Sequence, residues 1–219
     1  MIWKAATGGA VLALVMSGAA QAACAPPGMV KIVARAEGPD VTGFNAEPKV
    51  LYRSGARHLR VEEAPDPANG LHMIIVVSEP DIWFVNQFTR TGQHIVDPGP
   101  TFEVHAPVLD NVSGVLGELE FGCESDFARS HAPKPERTIS FANGPAEVRL
   151  IKDGDRTLEL LFRPGGATPL RATYSEPGKP IVVLRFVTYE TGLAFDSKLF
   201  ERLEGYAYSE ERPGTENGP

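Results

Sequence analysis

The chain has 219 residues, 21 basic and 28 acidic, for a formal net charge of −7. A protein of this charge repels nucleic acid and anionic lipid at long range, and no Lys/Arg cluster reverses the balance locally, so nucleic-acid binding is excluded. Its two cysteines form no Cys-x-x-Cys, which leaves a thiol redox motif without support.

The first segment reads as a secretory signal. Met1–Lys4 carries one positive charge, Ala10–Met16 is an apolar core, and Ala20-Gln21-Ala22 places small residues before a cleavage after Ala22. The apolar core is shorter than the ~20 residues a membrane-spanning helix needs, and no later run is long enough, so no transmembrane anchor is expected. Residues 1–22 are thus expected to be removed and the rest to work in the periplasm. Lipid anchoring through Cys24 is the weaker reading, because Gln21 stands where a lipobox needs an aliphatic residue. In an oxidising compartment an isolated pair such as Cys24 and Cys123 closes into a disulfide.

From there the chain reads as short strands. Met29–Ala36 alternates, with Val30, Ile32, Ala34 and Ala36 on one face and Lys31 and Arg35 on the other. Lys49–Arg53 and Arg57–Glu62 form a hairpin in which Val50, Tyr52, Leu59 and Val61 point inward. Leu71–Val77 is apolar enough to be covered on both faces, and Ile82–Phe88, Gln93–Val96 and Thr101–His105 follow. Asp110–His131 is the least strand-like stretch. Its glycines break a long helix but allow a short one over Glu124–Ser130, with Phe127 on the buried side. Arg137–Phe141, Ala146–Lys152, Thr157–Arg163, Leu170–Ser175, Ile181–Tyr189 and Gly205–Tyr208 complete the set, and Asp153-Gly154-Asp155 marks a tight hairpin turn. The tail from Glu210 is charged and rich in Pro and Gly, the composition of a disordered segment. Ten to twelve short strands joined by turns mean a sandwich or a curved, partly closed antiparallel barrel.

Candidate chemistry is sparse. The five histidines are each alone in their segment, and His94 and His105, flanking one turn, are the pair to inspect. Glu62-Glu63, Glu118/Glu120 and Glu124/Asp126 are acidic pairs that read as solvated edges. Ser54-Gly55 and Ser113-Gly114 lack the Gly-x-Ser-x-Gly frame of a nucleophile elbow, and Gly165-Gly166 is a turn without the Lys-Ser/Thr of a phosphate loop. Some strands are apolar on both sides, so one face packs a core and the other meets a helix, a second sheet, a partner or an apolar ligand.

Three groups of residues carry a resemblance. They are Arg57-His58-Leu59-Arg60-Val61-Glu62, then Ile82-Trp83-Phe84-Val85 with Thr91-Gly92-Gln93-His94, and last Phe195-Asp196-Ser197-Lys198-Leu199-Phe200 before Gly205-Tyr206. With the leading signal segment, this order resembles the periplasmic LolA/LolB-like superfamily. The resemblance implies an all-β fold with minor α: a curved antiparallel sheet forming an unclosed half-barrel around an apolar space. In this sequence the helical lid of a lipoprotein carrier has little room, since the 106–136 stretch is broken by glycine.

The expectation is therefore one β domain over residues 23–209 with a disordered tail over 210–219. Its function is non-enzymatic binding of a hydrophobic or amphiphilic ligand, such as an acyl chain, in the concavity. The lining candidates are Ile75, Trp83, Phe84, Leu160, Phe162, Tyr174 and Phe186, subject to a strand register whose slip by one residue inverts every face. No cofactor and no metal site are expected. The alternatives are a protein-interaction or stress-sensing module of the cell envelope, and a hydrolase with scattered catalytic groups. Neither the ligand nor the oligomeric state is fixed by the sequence.

Overall fold

The computed structural model describes residues 24–39, 41–97, 102–105 and 114–211. The expected signal segment, Thr101, Ser113 and the tail beyond residue 211 lie outside them.

Among the described residues twelve strands form one sheet. In chain order they are β1 (Met29–Glu37), β2 (Lys49–Ser54), β3 (His58–Glu62), β4 (Met73–Ser78), β5 (Asp81–Asn86) and β6 (Thr91–Val96). After a helix, α1 (Glu124–His131), come β7 (Arg137–Ser140), β8 (Pro145–Asp153), β9 (Arg156–Phe162), β10 (Pro169–Ser175), β11 (Val182–Leu193) and β12 (Ala207–Glu211). Their spatial order is β12-β6-β5-β4-β3-β2-β1-β11-β10-β9-β8-β7, so the sheet has two ends and does not close. Two hairpin meanders are stitched together where β1 pairs antiparallel with β11. All pairings are antiparallel except β12 on β6, which is parallel.

Curvature follows from who shares the core. Ile82 of β5, Ile75 of β4, Ile32 of β1, Phe186 of β11, Leu160 of β9 and Ile151 of β8 all belong to one apolar cluster. Strands this far apart in the sheet meet only if it bends around that cluster. Each fully buried Leu, Ile or Phe of the set contributes roughly 1.5–3 kcal/mol relative to its exposed state. The open half-barrel implied by the resemblance is the architecture found.

Both faces of β4 are covered, as its composition predicts: Ile75 and Val77 face the inner cluster, while Ile74 and Val76 are buried on the other side. After β11 the chain meets β3 and β4 through the turn at Ser197–Phe200, on its way to the far edge. At that turn Phe195 and Phe200 stack on each other and meet the His58 ring at steep angles, and Arg60 donates to the Leu199 carbonyl at 3.2 Å. At the other end a smaller cluster of Ala146, Val148 and Leu161 fills the outer side under Phe141 and Leu170.

Four local expectations are corrected. In β2 it is Leu51 and Arg53 that are buried, while Val50 and Tyr52 are half-exposed on the opposite face. A buried cation reverses the phase that hydrophobicity alone assigns. No strand forms over the described part of Thr101–His105, whose one ladder contact is a bridge from His105 to Glu120. Strand β12 runs to Glu211, so Glu210 belongs to the sheet and not to the tail. Last, Glu63, Glu120 and Glu124 are not solvated: all three are buried.

Candidate functional site

The concave face is occupied by the chain itself. Phe102, Val104, Leu116, Leu119, Phe121 and Phe127, none of them in a strand, join the inner cluster and cover the curved wall. The filling of the half-barrel thus comes from residues 102–104 and from the described part of the glycine-broken stretch, residues 116–132. Its helix α1 forms where expected, with Phe127 and Ala128 buried.

Three polar devices hold this filling in place. Cys24 and Cys123 are joined by a disulfide with a Cα–Cα separation of 5.7 Å, as the cysteine count implied. Arg53, wholly buried, pairs with Glu120 at 2.9 Å and donates to the carbonyls of Cys24 at 2.8 Å, Phe121 at 2.9 Å and Gly55 at 3.2 Å. Its guanidinium also lies over the Phe102 ring, 5.0 Å from the centroid. Gly122, at φ +95°, turns its N–H onto both carboxyl oxygens of Glu124, each at 3.2 Å. A β-carbon at Gly122 meets Pro26 at 3.1 Å, so a side chain there is crowded as well as strained by the positive φ.

Glu124 receives its strongest hydrogen bond from the Tyr189 hydroxyl, at 2.5 Å. Burial pushes its carboxyl up to about 7 against these donors, and burial with the adjacent Glu124 raises the Tyr189 phenol. The unfolded carboxyl titrates near its ordinary value of 4.5 and the folded one near 7. Between these values the folded state keeps a proton that the unfolded state has lost, so stability falls as pH rises through the window and then levels off. The shift corresponds to about 3 kcal/mol. Glu124→Gln, which keeps an acceptor for Tyr189, therefore abolishes that contribution to the pH slope and is more stable than the parent at pH 8. Thermal melts at pH 5 and pH 8 check this; equal slopes in both proteins rule it out.

Of the lining candidates, Ile75, Leu160, Phe162, Tyr174 and Phe186 lie in the inner cluster and Phe84 packs against it. Of these, Phe186 meets Phe121 of the filling segment edge-on, with ring centroids 6.4 Å apart. Trp83 neighbours Phe84 and so takes the opposite face, where it stacks on His94 with ring centroids 5.6 Å apart. His94 and His105 have separate partners: His94 lies between Asp81 and Glu210, and His105 beside Glu103. Among the described residues no group of three or more His, Cys, Asp or Glu side chains is arranged to hold a metal, and no helix is long and apolar enough to cross a membrane. A cavity of about 160 Å³ opens beside α1 among Arg129, Arg149, Glu147 and Phe162. That is below the ~300 Å³ at which pockets begin to enclose a drug-sized ligand, so an acyl chain does not fit there as it stands.

The residues that sequence reasoning missed are Arg53, Glu120, Glu124 and Tyr189. The alternation assigned to Lys49–Arg53 put Arg53 on the outer face, so no local signal marked it.

No protein-family model and no curated protein matches the chain. Solved structures do. An uncharacterized conserved protein from Thermus thermophilus is similar at TM-score 0.49 and 14% identity, over 84% of this chain and 91% of that one. A chain of the MucA/MucB complex of Pseudomonas aeruginosa is similar at TM-score 0.42 and 13% identity, over 80% of this chain and 55% of that one, so this chain spans about half its length. A LolA superfamily protein from Nitrosomonas europaea is similar at TM-score 0.35 and 12% identity, over 80% of this chain and 89% of that one.

Proposed function

We propose that the protein is an exported, non-enzymatic binding protein of the cell envelope, and that an apolar or amphiphilic chain, such as an acyl chain, takes the place of its filling segment on the concave wall. The observation that carries this reading is the make-up of that contact. The strands present a continuous apolar wall that a non-sheet segment covers, yet the contact is interrupted by a buried ion pair and a buried carboxyl. Such groups fix a position while adding little net stability over apolar residues of the same shape, which suits a cover that has to part from the wall. The disulfide, a bond that persists in oxidising compartments, and the signal-like Met1–Ala22 segment support export.

A fluorescent fatty acid titrated into the protein tests the guest. The expected result is saturable binding, displaced by unlabelled fatty acid and weakened by Leu160→Glu, which places a charge on the wall. Absence of saturable binding at any protein excess removes the reading. A protein partner is the second reading, favoured by the apolar side chains left on the outside: Ile181, Val187 and Phe195 are each more than half exposed.

A further inference from the structure

Strand β12 is an add-on to the sheet. Among the described residues β6 is its one neighbouring strand, from Ala207 beside Thr91 to Glu211 beside Ile95, and the pairing is parallel. Its entry is fixed by backbone: the Ala207 N–H donates to the Arg90 carbonyl at 3.1 Å, and the Arg90 guanidinium donates to the Gly205 carbonyl at 3.1 Å. The Tyr208 ring lies across Gly92, where a β-carbon comes within 2.6 Å of it. Near the far end the anchor is a side-chain clamp. His94 of β6 has Nδ1 at 2.6 Å from a Glu210 carboxyl oxygen and Nε2 at 2.7 Å from a carboxyl oxygen of Asp81 in β5. Below the clamp Trp83 stacks on the imidazole, its plane tilted by 13°.

This geometry specifies a protonation state. A carboxylate only accepts, so each ring nitrogen must donate, and only the imidazolium has two N–H groups. In neutral imidazole one nitrogen lone pair faces a carboxylate oxygen at hydrogen-bond distance, and the contact turns repulsive. We propose that β12 is a proton-operated clasp: protonated His94 holds the C-terminal strand on the β6 edge by bridging Glu210 to Asp81, and loss of the proton lets the strand go. Among the described residues the charged groups acting on the imidazole are Asp81 and Glu210, and together they raise its affinity for the proton although burial opposes them. A group whose folded pKa is raised contributes most below its free value, near 6.5 for histidine, and that contribution is lost as pH rises through the folded value. The clasp is therefore closed in mild acid and loosened in alkali. Release uncovers the backbone donors and acceptors of the β6 edge, a template for another strand. None of this depends on what the concave face binds.

Hydrogen exchange of the full chain, corrected for the intrinsic pH dependence of exchange, tests the clasp at pH 6 and pH 9. The expected result is a loss of protection over residues 207–211 at pH 9 relative to pH 6, with β8–β11 unchanged. His94→Gln is expected to show low protection at both pH values. Glu210→Gln, on the exposed edge and safe for folding, is expected to shrink the step and lower the His94 titration midpoint read by NMR. Equal protection of the parent at the two pH values overturns the proposal. So does a full step that survives in His94→Gln, or, should that variant misfold, a full step and an unchanged midpoint in Glu210→Gln.

Discussion

Arg53→Met is expected to destabilise the fold by about 3–5 kcal/mol, the range for removing one partner of a buried ion pair. The reason is what stays behind. Glu120, almost fully buried, loses the cation that neutralises it at 2.9 Å, and the carbonyls of Cys24, Phe121 and Gly55 lose their side-chain donor. Methionine fills a similar volume, so little of the loss is packing. Adding Glu120→Leu is expected to restore part of the stability, since an ion pair replaced by apolar groups is often neutral; recovery stays incomplete because the carbonyls are still unpaired. Urea unfolding of parent, single and double variants measures all three. A single variant within about 1 kcal/mol of the parent, far below the range for a broken buried pair, means that Arg53 does not pin the filling segment.

The parts legible in the sequence are those set by short-range pattern. Alternation in Met29–Ala36 places Val30, Ile32 and Ala34 on the inner face, where they are found. The apolar run in Leu71–Val77 foretells a strand covered twice, and Asp153-Gly154-Asp155 marks the β8–β9 hairpin. What escaped depends on contacts between segments far apart in the chain. Arg53 and Glu120 are remote in sequence, and each reads as a surface residue until the other is beside it. That one pairing sets the phase of β2, so the error at Val50 and Tyr52 and the error at Glu118/Glu120 share a physical cause. Trp83 shows the same limit from the other side. Its size suggests a wall residue, but the strand register gives that place to Phe84 and leaves the indole to His94. The parallel placement of β12 was illegible for a different reason. It needs a crossover past β3 and β4, and no local turn signal encodes a long connection.

Removing the disulfide with Cys24→Ser and Cys123→Ser is expected to cost about 2–5 kcal/mol, and the loss should fall unevenly over the molecule. The two cysteines are 99 residues apart, and the chain-entropy model gives about 4.7 kcal/mol for a loop of ~100 residues, the upper end of the range. The bond ties the start of the described chain to the filling segment one residue before α1. Without it, the polar contacts that hold that segment against the wall include Arg53, the Glu124–Tyr189 hydrogen bond and the 2.6 Å hydrogen bond from Arg149 of β8 to the Ala132 carbonyl. Hydrogen exchange should therefore rise first over residues 115–132, while β8–β11, held by their own ladders, stay protected. The same variant should take up the fluorescent fatty acid more tightly than the parent, because the guest no longer competes with a tethered cover. Uniform loss of protection means that the disulfide stabilises the whole domain and the filling segment is ordinary core. Selective loss with unchanged guest affinity means that the segment moves but does not gate the wall. Selective loss with tighter binding is the outcome that a displaceable filling requires.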